Sequence, residues 1–368
     1  MRVLLCGGGT AGHVMPAIAV AEIIEKNFKG SIIAFGGRTG GSENDAYLKT
    51  KHHLYTIDIQ GINRSLSAHN VKSIFKIIKS GRTARSILRD FNPDVIIGTG
   101  GYVCYTFIKQ GQRMKIKTVI HESNAAPGLV TRILGGKCDR LLLNLEDTKN
   151  NLRNPENAVV VGNPTRKTFD TLTKSEARKK LRIPENKKLI VSFGGSLGAE
   201  ILNKTIASLI SRYTIDSKEI YHIHATGKAN YEKIREEYPE LFKNRVNVKI
   251  LPYIDDMPTV LTAADLAITR SGAITVSELT RSATPSILIP SPNVTANHQY
   301  HNAAQMRKSG ASILIEEKDL TVERLRNEVL NLISDYKKTE LMSKNASRAY
   351  IPDTDLRIVK VLSELIKR

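Results

Sequence analysis

The sequence predicts an α/β protein built from two Rossmann-like domains, each a doubly wound parallel sheet. Three observations carry that prediction. Short Val/Ile/Leu-rich runs bounded by Gly, Pro or Asn alternate with helical stretches along nearly the whole chain, the pattern of parallel strands buried on both faces with crossover helices between them. A unit of strand, glycine loop and helix start occurs twice: LLCGGGTAGH (4–13) runs into PAIAVAEIIEK, and LIVSFGGSLGAE (189–200) into ILNKTIASLI. The chain, at 368 residues, is also long enough for two cores.

In order, strands are expected at Arg2–Cys6, Ser31–Phe35, Val95–Gly98, Thr118–His121, Leu141–Asn144 and Val159–Val161. A second set follows at Leu189–Phe193, Ile220–Thr226, Val246–Leu251, Leu266–Thr269, Ser286–Pro290 and Ser312–Ile315. Pro16–Lys26, Glu200–Tyr213, Val276–Arg281 and Val322–Ser334 read as helices. Gly7-Gly8 is matched in role with Gly194-Gly195. VGNPTRK (161–167), where Gly and Pro follow a strand, marks the boundary. The expected domains are 1–163 and 164–352, with a C-terminal helix at about 353–368 returning to the first.

Composition narrows the function. Hydrophobic residues at 41% and charged residues at 25% exclude wholesale disorder. No apolar run approaches the ~18–20 residues of a membrane span, and Val3–Leu5 is too short for a signal-peptide core. Cys6, Cys104 and Cys138 are too few and scattered for a disulfide framework or zinc site, which fits a reducing cytoplasm. The net charge of +19, spread over both halves, favours anionic partners. Aromatics at 5%, with no Trp, give little base-stacking surface, and no recognition motif accompanies the charge, so nucleic acid is not expected.

Gly7-Gly8-Gly9-Thr10-Ala11-Gly12 satisfies G-x-G-x-x-G between a strand and a helix, where backbone N–H groups and the helix dipole favour phosphate. A dinucleotide site also wants an acid after the second strand. That strand ends in Gly36-Gly37-Arg38, with no acid, which weakens a dinucleotide reading to NADP through Arg38 and leaves a tight turn with no ligand as its alternative. RSGAITVSE (270–278) is more specific. Its tight turn leaves the N–H groups of Ala273, Ile274 and Thr275 as unpaired first-turn donors for a diphosphate. Glu278, about a turn further on, can accept both hydroxyls of a ribose or act as a favourable first-turn acid. Ser196 offers a hydroxyl to the same phosphates, and Arg166 a cation.

GGGTAGH near the start, GGY (100–102), HESN (121–124), VGNPTR (161–166), GGSLGA (194–199), YIDDM (253–257), RSGAITVSE and NHQYHNA (297–303) fall in order over essentially the whole chain. Together they resemble the family of undecaprenyldiphospho-muramoylpentapeptide β-N-acetylglucosaminyltransferases, where a second glycine usually stands at the position of Ala11. The resemblance implies the GT-B arrangement of two Rossmann-like domains facing a cleft. It implies N-acetylglucosamine transfer from UDP-N-acetylglucosamine to the 4-hydroxyl of a lipid-linked muramoyl-pentapeptide, in peptidoglycan synthesis. On this basis Arg166, Ser196 and residues Ala273, Ile274, Thr275, Val276 and Ser277 would line the donor site. Glu278 would hold the uridine ribose, the backbone of Ile254 the uracil, and Gln299 the sugar hydroxyls unless it is a solvated helix-start residue. Thr10, Ala11, Gly12 and Asn124 would contribute from the first domain.

Inverting displacement needs a base for the acceptor hydroxyl and positive potential for the departing diphosphate. His13 is the leading candidate base, with an orienting role as its alternative, and Glu122 is its rival. Asp353-Thr354-Asp355 has the D-x-D spacing of metal-dependent transferases but precedes an amphipathic helix, so it is read as a cap. No metal or other cofactor is expected, UDP-N-acetylglucosamine being a substrate. The polyprenyl acceptor implies a peripheral enzyme at the cytoplasmic membrane face, working beside other cell-wall synthesis proteins. VKSIFKIIK (71–79) suits that surface: Ile74, Phe75 and Ile78 share a helical face edged by Lys72, Lys76 and Lys79, each cation contributing ~1 kcal/mol at an anionic membrane. A core-facing helix is the alternative.

Overall fold

The computed structural model describes residues 1–41, 43–59, 69–165, 169, 171–195, 198–243, 245–294 and 297–367, with the backbone alone at residue 11 and residues 69–78. The chain forms two compact units, Met1–Pro164 with Ile351–Arg368, and Thr165–Tyr350.

The first unit is a seven-stranded parallel sheet in the order β3-β2-β1-β4-β5-β6-β7. Its strands are β1 Arg2–Gly7, β2 Ile32–Arg38, β3 His53–Ile57, β4 Val95–Gly100, β5 Lys117–Glu122, β6 Arg140–Leu143 and β7 Ala158–Val160. Helices α1 Ala11–Asn27, α2 Asn44–Leu48, α3 His69–Phe91, α4 Gly101–Arg113 and α5 Leu129–Leu134 connect them. The period of two along each strand feeds two cores. Val3, Leu5, Val95 and Ile97 pack with α1 on one face, while Leu4, Cys6 and Ile96 pack with α3 and α4 on the other.

The second unit repeats the plan with six parallel strands in the order β10-β9-β8-β11-β12-β13. These are β8 Lys188–Phe193, β9 Ile220–Ala225, β10 Val248–Leu251, β11 Leu266–Thr269, β12 Ser286–Leu288 and β13 Ser312–Leu314. Its helices are α6 Lys174–Leu181, α7 Glu200–Leu209, α8 Tyr231–Glu237, α9 Met257–Ala263, α10 Ala273–Arg281, α11 His298–Lys308, α12 Val322–Ser334 and α13 Tyr336–Ala349. A last helix, α14 Thr354–Ile366, belongs to the first unit. It buries Ile358, Val361, Leu362 and Leu365 in the core that also holds Val14, Ala17 and Ala21 of α1.

Four expectations are corrected. The edge strand β3 was not expected, because HLYTI follows Lys51 and His52, opens on the exposed His53, and leaves Leu54, Tyr55 and Thr56 only partly covered. Helix α1 begins at Ala11, not Pro16; inside the helix Pro16 forgoes one hydrogen bond, to the Gly12 carbonyl. Gly7 is still in β1, paired with Gly100, so the turns begin at Gly8 and Gly194 and the repeat is offset by one residue. Asp353 stands at the N-cap position of α14 at φ +59, but its side chain makes no cap.

Of the helix that carries the expected membrane face, Lys79, Arg82, Arg85 and Arg89 are exposed while Ala84, Leu88 and Phe91 face the core. The side chains of Lys72, Ile74, Phe75, Lys76 and Ile78 lie outside the described residues.

The sheet of the second unit buries two histidines. Ser192 Oγ lies 2.9 Å from His222 Nε2 and 2.8 Å from His224 Nδ1. Burial pushes His222 down to about 3 and His224 to about 4. Both are therefore neutral in the fold while the unfolded chain protonates near pH 6.5, so stability present at pH 7 is lost as pH falls below that value, by up to ~1.4 kcal/mol per pH unit per histidine. The imidazole resonances of both residues are expected not to titrate between pH 8 and pH 5. Titration of either near pH 6.5 would show that this cluster is hydrated.

Candidate active site

In each unit the strand order reverses beside its first strand, between β1 and β4 and between β8 and β11. Loops leaving the carboxyl ends of such strands are where a doubly wound sheet binds ligand.

In the first unit the Gly8 N–H donates to the Gly100 carbonyl at 3.2 Å. A Cβ at Gly101 would lie 2.3 Å from the Gly8 carbonyl oxygen, so only glycine lets these loops meet. Thr10 is exposed, its hydroxyl does not cap α1, and the first turn of α1 contains no acid. The N–H groups of Ala11 and Gly12 therefore begin the helix at its positive pole.

His13 occupies the same turn. Its Nδ1 lies 3.0 Å from the Gly8 carbonyl oxygen and 3.4 Å from Thr10 Oγ1. The Thr99 hydroxyl donates to the His13 carbonyl at 2.6 Å. A carbonyl can only accept, so Nδ1 carries the proton and the neutral ring keeps its lone pair on Nε2. That is the tautomer a general base needs.

Glu122 is held differently. One carboxylate oxygen accepts from the Asn124 N–H and side-chain amide, both at 3.0 Å. The other accepts from the Gly128 N–H at 2.8 Å and the Thr131 hydroxyl at 2.6 Å. This buried carboxylate is committed to folding the 123–131 turn, which does not fit the rival-base expectation, and it draws the Asn124 amide inward. His121 beside it is buried, which pushes its pKa down, and Nε2 donates to the Gly162 carbonyl at 3.1 Å.

Two residues here were not anticipated. Tyr47 is buried, stacks on Phe35 at 4.3 Å and donates its hydroxyl to the Gly7 carbonyl at 2.7 Å. Glu43, 2% exposed, accepts from the N–H groups of Arg38 at 3.0 Å and Gly9 at 3.4 Å. An acid does accompany the second strand; it arrives five residues past Arg38, beyond the place the dinucleotide pattern inspects.

In the second unit β11 turns through Arg270, Ser271 and Gly272 into α10, which has no side-chain cap and no acid in its first turn. The N–H groups of Ala273, Ile274 and Thr275 begin the helix, as the turn was expected to arrange. Val276 and Ser277 are buried behind them. Glu278 lies in the second turn, which removes the first-turn-acid reading. The RSGAITVSE and NHQYHNA motifs meet: Ser271 Oγ donates to the Gln299 carbonyl at 2.7 Å, and Asn302 Nδ2 to the Ser271 carbonyl at 3.1 Å. Arg270 pairs with Glu317 and donates to the carbonyls of Ile289 and Pro290.

Gln299 was expected to reach sugar hydroxyls, yet its Oε1 accepts the Ser291 N–H at 2.9 Å. Only its Nε2 donors suit that task. Ile254 is 3% exposed within the core, while Asp256 caps α9 and pairs with Lys180 at 2.6 Å. Arg166, Ser196 and the Ala11 side chain lie outside the described residues.

Residues 3–143 match the glycosyltransferase family 28 N-terminal domain, and residues 189–357 match its C-terminal domain. The chain belongs to glycosyltransferase family 28. This glycosyltransferase is 41% identical to an Acetivibrio thermocellus protein over 100% of the chain and 99% of the relative. It is 40% identical to one from Thermoanaerobacter sp. strain X514 over 99% and 100%. Both are named UDP-N-acetylglucosamine–N-acetylmuramyl-(pentapeptide) pyrophosphoryl-undecaprenol N-acetylglucosamine transferase. The glycosyltransferase also shares its fold with the crystal structure of Acinetobacter baumannii MurG, at TM-score 0.77 and 24% identity over 99% of each chain.

Proposed function

We propose that this glycosyltransferase transfers N-acetylglucosamine from UDP-N-acetylglucosamine to the 4-hydroxyl of an N-acetylmuramoyl-pentapeptide carried on a polyprenyl diphosphate. The product is the disaccharide lipid used in peptidoglycan synthesis. The full-length likeness to relatives bearing that name supports the substrates. The observation that carries the assignment of roles is the uncapped, acid-free start of α10 with Glu278 one turn beyond it.

There the N–H groups of Ala273 to Thr275 meet the donor diphosphate, aided by the helix dipole, Ser196 and Arg166. Glu278 accepts the ribose hydroxyls and the Ile254 backbone meets uracil. In the first unit Nε2 of His13 takes the proton of the muramoyl 4-hydroxyl as that oxygen bonds to the sugar C1. The bond from C1 to the diphosphate oxygen breaks, its electron pair leaves with UDP, and attack on the opposite face inverts the anomer. The leaving charge falls on backbone donors and cations, so no metal enters the step.

The enzyme works at the cytoplasmic face of the membrane, where its acceptor is anchored. Among the described residues no helix is long and apolar enough to cross a bilayer. The exposed Lys79, Arg82, Arg85 and Arg89 of α3, continuing the 71–78 segment, would meet anionic headgroups.

The test is transfer of labelled N-acetylglucosamine to the muramoyl-pentapeptide lipid in chelator-treated enzyme, with UDP-N-acetylgalactosamine as the control donor. Transfer of the first sugar alone is expected; failure to label this lipid rejects the reading. Glu278→Ala should raise KM for the donor by roughly 10–100-fold, the loss of a charge-assisted hydrogen bond, with kcat less affected. An unchanged donor KM would remove Glu278 from the ribose.

A further inference from the structure

The peptide group joining Gly8 and Gly9 is gripped at both ends. Its carbonyl accepts from His13 Nδ1 at 3.0 Å, and its N–H donates to Glu43 Oε2 at 3.4 Å. These two contacts share one planar, resonance-coupled unit. An anion at the N–H end shifts electron density toward the carbonyl oxygen and makes it a better acceptor. The seat is built for the carboxylate: a Cβ at Gly8 or Gly41 would fall 2.7 or 2.5 Å from Oε1, and Glu43 is almost wholly buried. Little water screens its charge there.

We propose that Glu43 is a positioning residue for His13, acting through the Gly8–Gly9 peptide as a carboxylate acts directly on histidine in a catalytic dyad. The proposal rests on the reading of His13 as general base. Glu43 holds the peptide in the orientation that turns oxygen toward Nδ1. Were the peptide flipped, its N–H would face Nδ1, the tautomer would invert, and Nε2 would already hold the proton it is meant to receive. The same carboxylate stabilises the imidazolium formed when the acceptor proton arrives.

Other titratable groups border the loop. Cys6 of β1 and Tyr47 of α2 are pushed up by burial and are neutral at pH 7. Arg38 ends β2, and Tyr102 and Cys104 stand in the first turn of α4. Tyr47 grips the preceding carbonyl, that of Gly7, without charge, which makes it the natural control.

The experiment is an NMR titration of the His13 ring in the full-length enzyme, run beside turnover. Glu43→Gln keeps the shape and removes the charge. It is expected to lower the His13 pKa by about half a unit or more. It should also reduce kcat about tenfold with KM for UDP-N-acetylglucosamine unchanged. Glu43→Asp, retaining the charge, should recover most of both. Tyr47→Phe should lower Tm without moving the His13 titration. A His13 that titrates identically in Glu43→Gln and the parent enzyme overturns the relay, whatever happens to Tm. Should His13→Ala keep full turnover while Glu43→Gln still shifts the ring's titration, the relay stands and the base assignment alone is lost.

Discussion

His13→Ala is expected to lower kcat by roughly 10²–10⁴-fold, the range for losing a general base, while KM for UDP-N-acetylglucosamine stays near the parent value. The split follows from placement. His13 belongs to the first unit, whereas α10 and Glu278 belong to the second. Alanine also removes the ring that lies over Gly100, where a Cβ would come within 2.5 Å of Cδ2, so some loss of order in the loop must be separated from lost chemistry. His13→Asn does this, since its amide can still donate toward the Gly8 carbonyl but cannot take a proton. Asn and Ala variants equally impaired in kcat, with the Asn variant melting close to the parent, is the expected pattern. Glu122→Gln should chiefly lower Tm, because four donors depend on that carboxylate. Near-normal turnover in His13→Ala with activity lost in Glu122→Gln would transfer the role.

The second large effect concerns stability. Arg178 of α6 is 2% exposed, and its guanidinium donates to the Ala263 carbonyl at 3.2 Å, to Asp265 Oδ2 at 3.1 Å, to the Pro184 carbonyl at 3.0 Å and to the Lys187 carbonyl. Burial alone would raise the Asp265 pKa. Lys174, the Leu189 N–H and Arg178 outweigh it and hold the carboxyl below its usual range. Arg178→Met keeps much of the volume but leaves Asp265 short of a partner and three carbonyls short of a donor. The second unit should lose about 3–5 kcal/mol, or roughly 6–20 °C in its calorimetric transition. A shift below about 2 °C would mean that water replaces the guanidinium at little cost.

Much of this molecule can be read from residue pattern, and the exceptions have physical reasons. Buried parallel strands such as LLC, VII and LIV announce themselves because both faces need apolar side chains. β3 does not, since an edge strand that opens on His53 behind Lys51 and His52 has no such requirement. The start of α10 was legible because Gly272, a tight turn and the absence of early acids specify open N–H groups at a known place. Glu43 and Tyr47 were not, because no spacing rule connects a short helix after β2 with a glycine loop after β1; only folding makes them neighbours. Asp353 shows the reverse failure: a polar residue before an amphipathic helix sits on a left-handed backbone, and its side chain makes no cap.

The placement of α14 reaches back to how the molecule is made. The chain leaves the first unit near Gly162, where a Cβ would lie 2.6 Å from Thr354 Oγ1 of the returning segment, and Arg357 reaches the Val160 carbonyl at 3.4 Å. Four apolar side chains that seal the sheet beside α1 are thus encoded after the whole of the second unit. On the ribosome the second unit can close over itself first, while the first waits with an open flank until residues 354–366 are made. Nascent chains stalled short of residue 354 would offer that flank to chaperones.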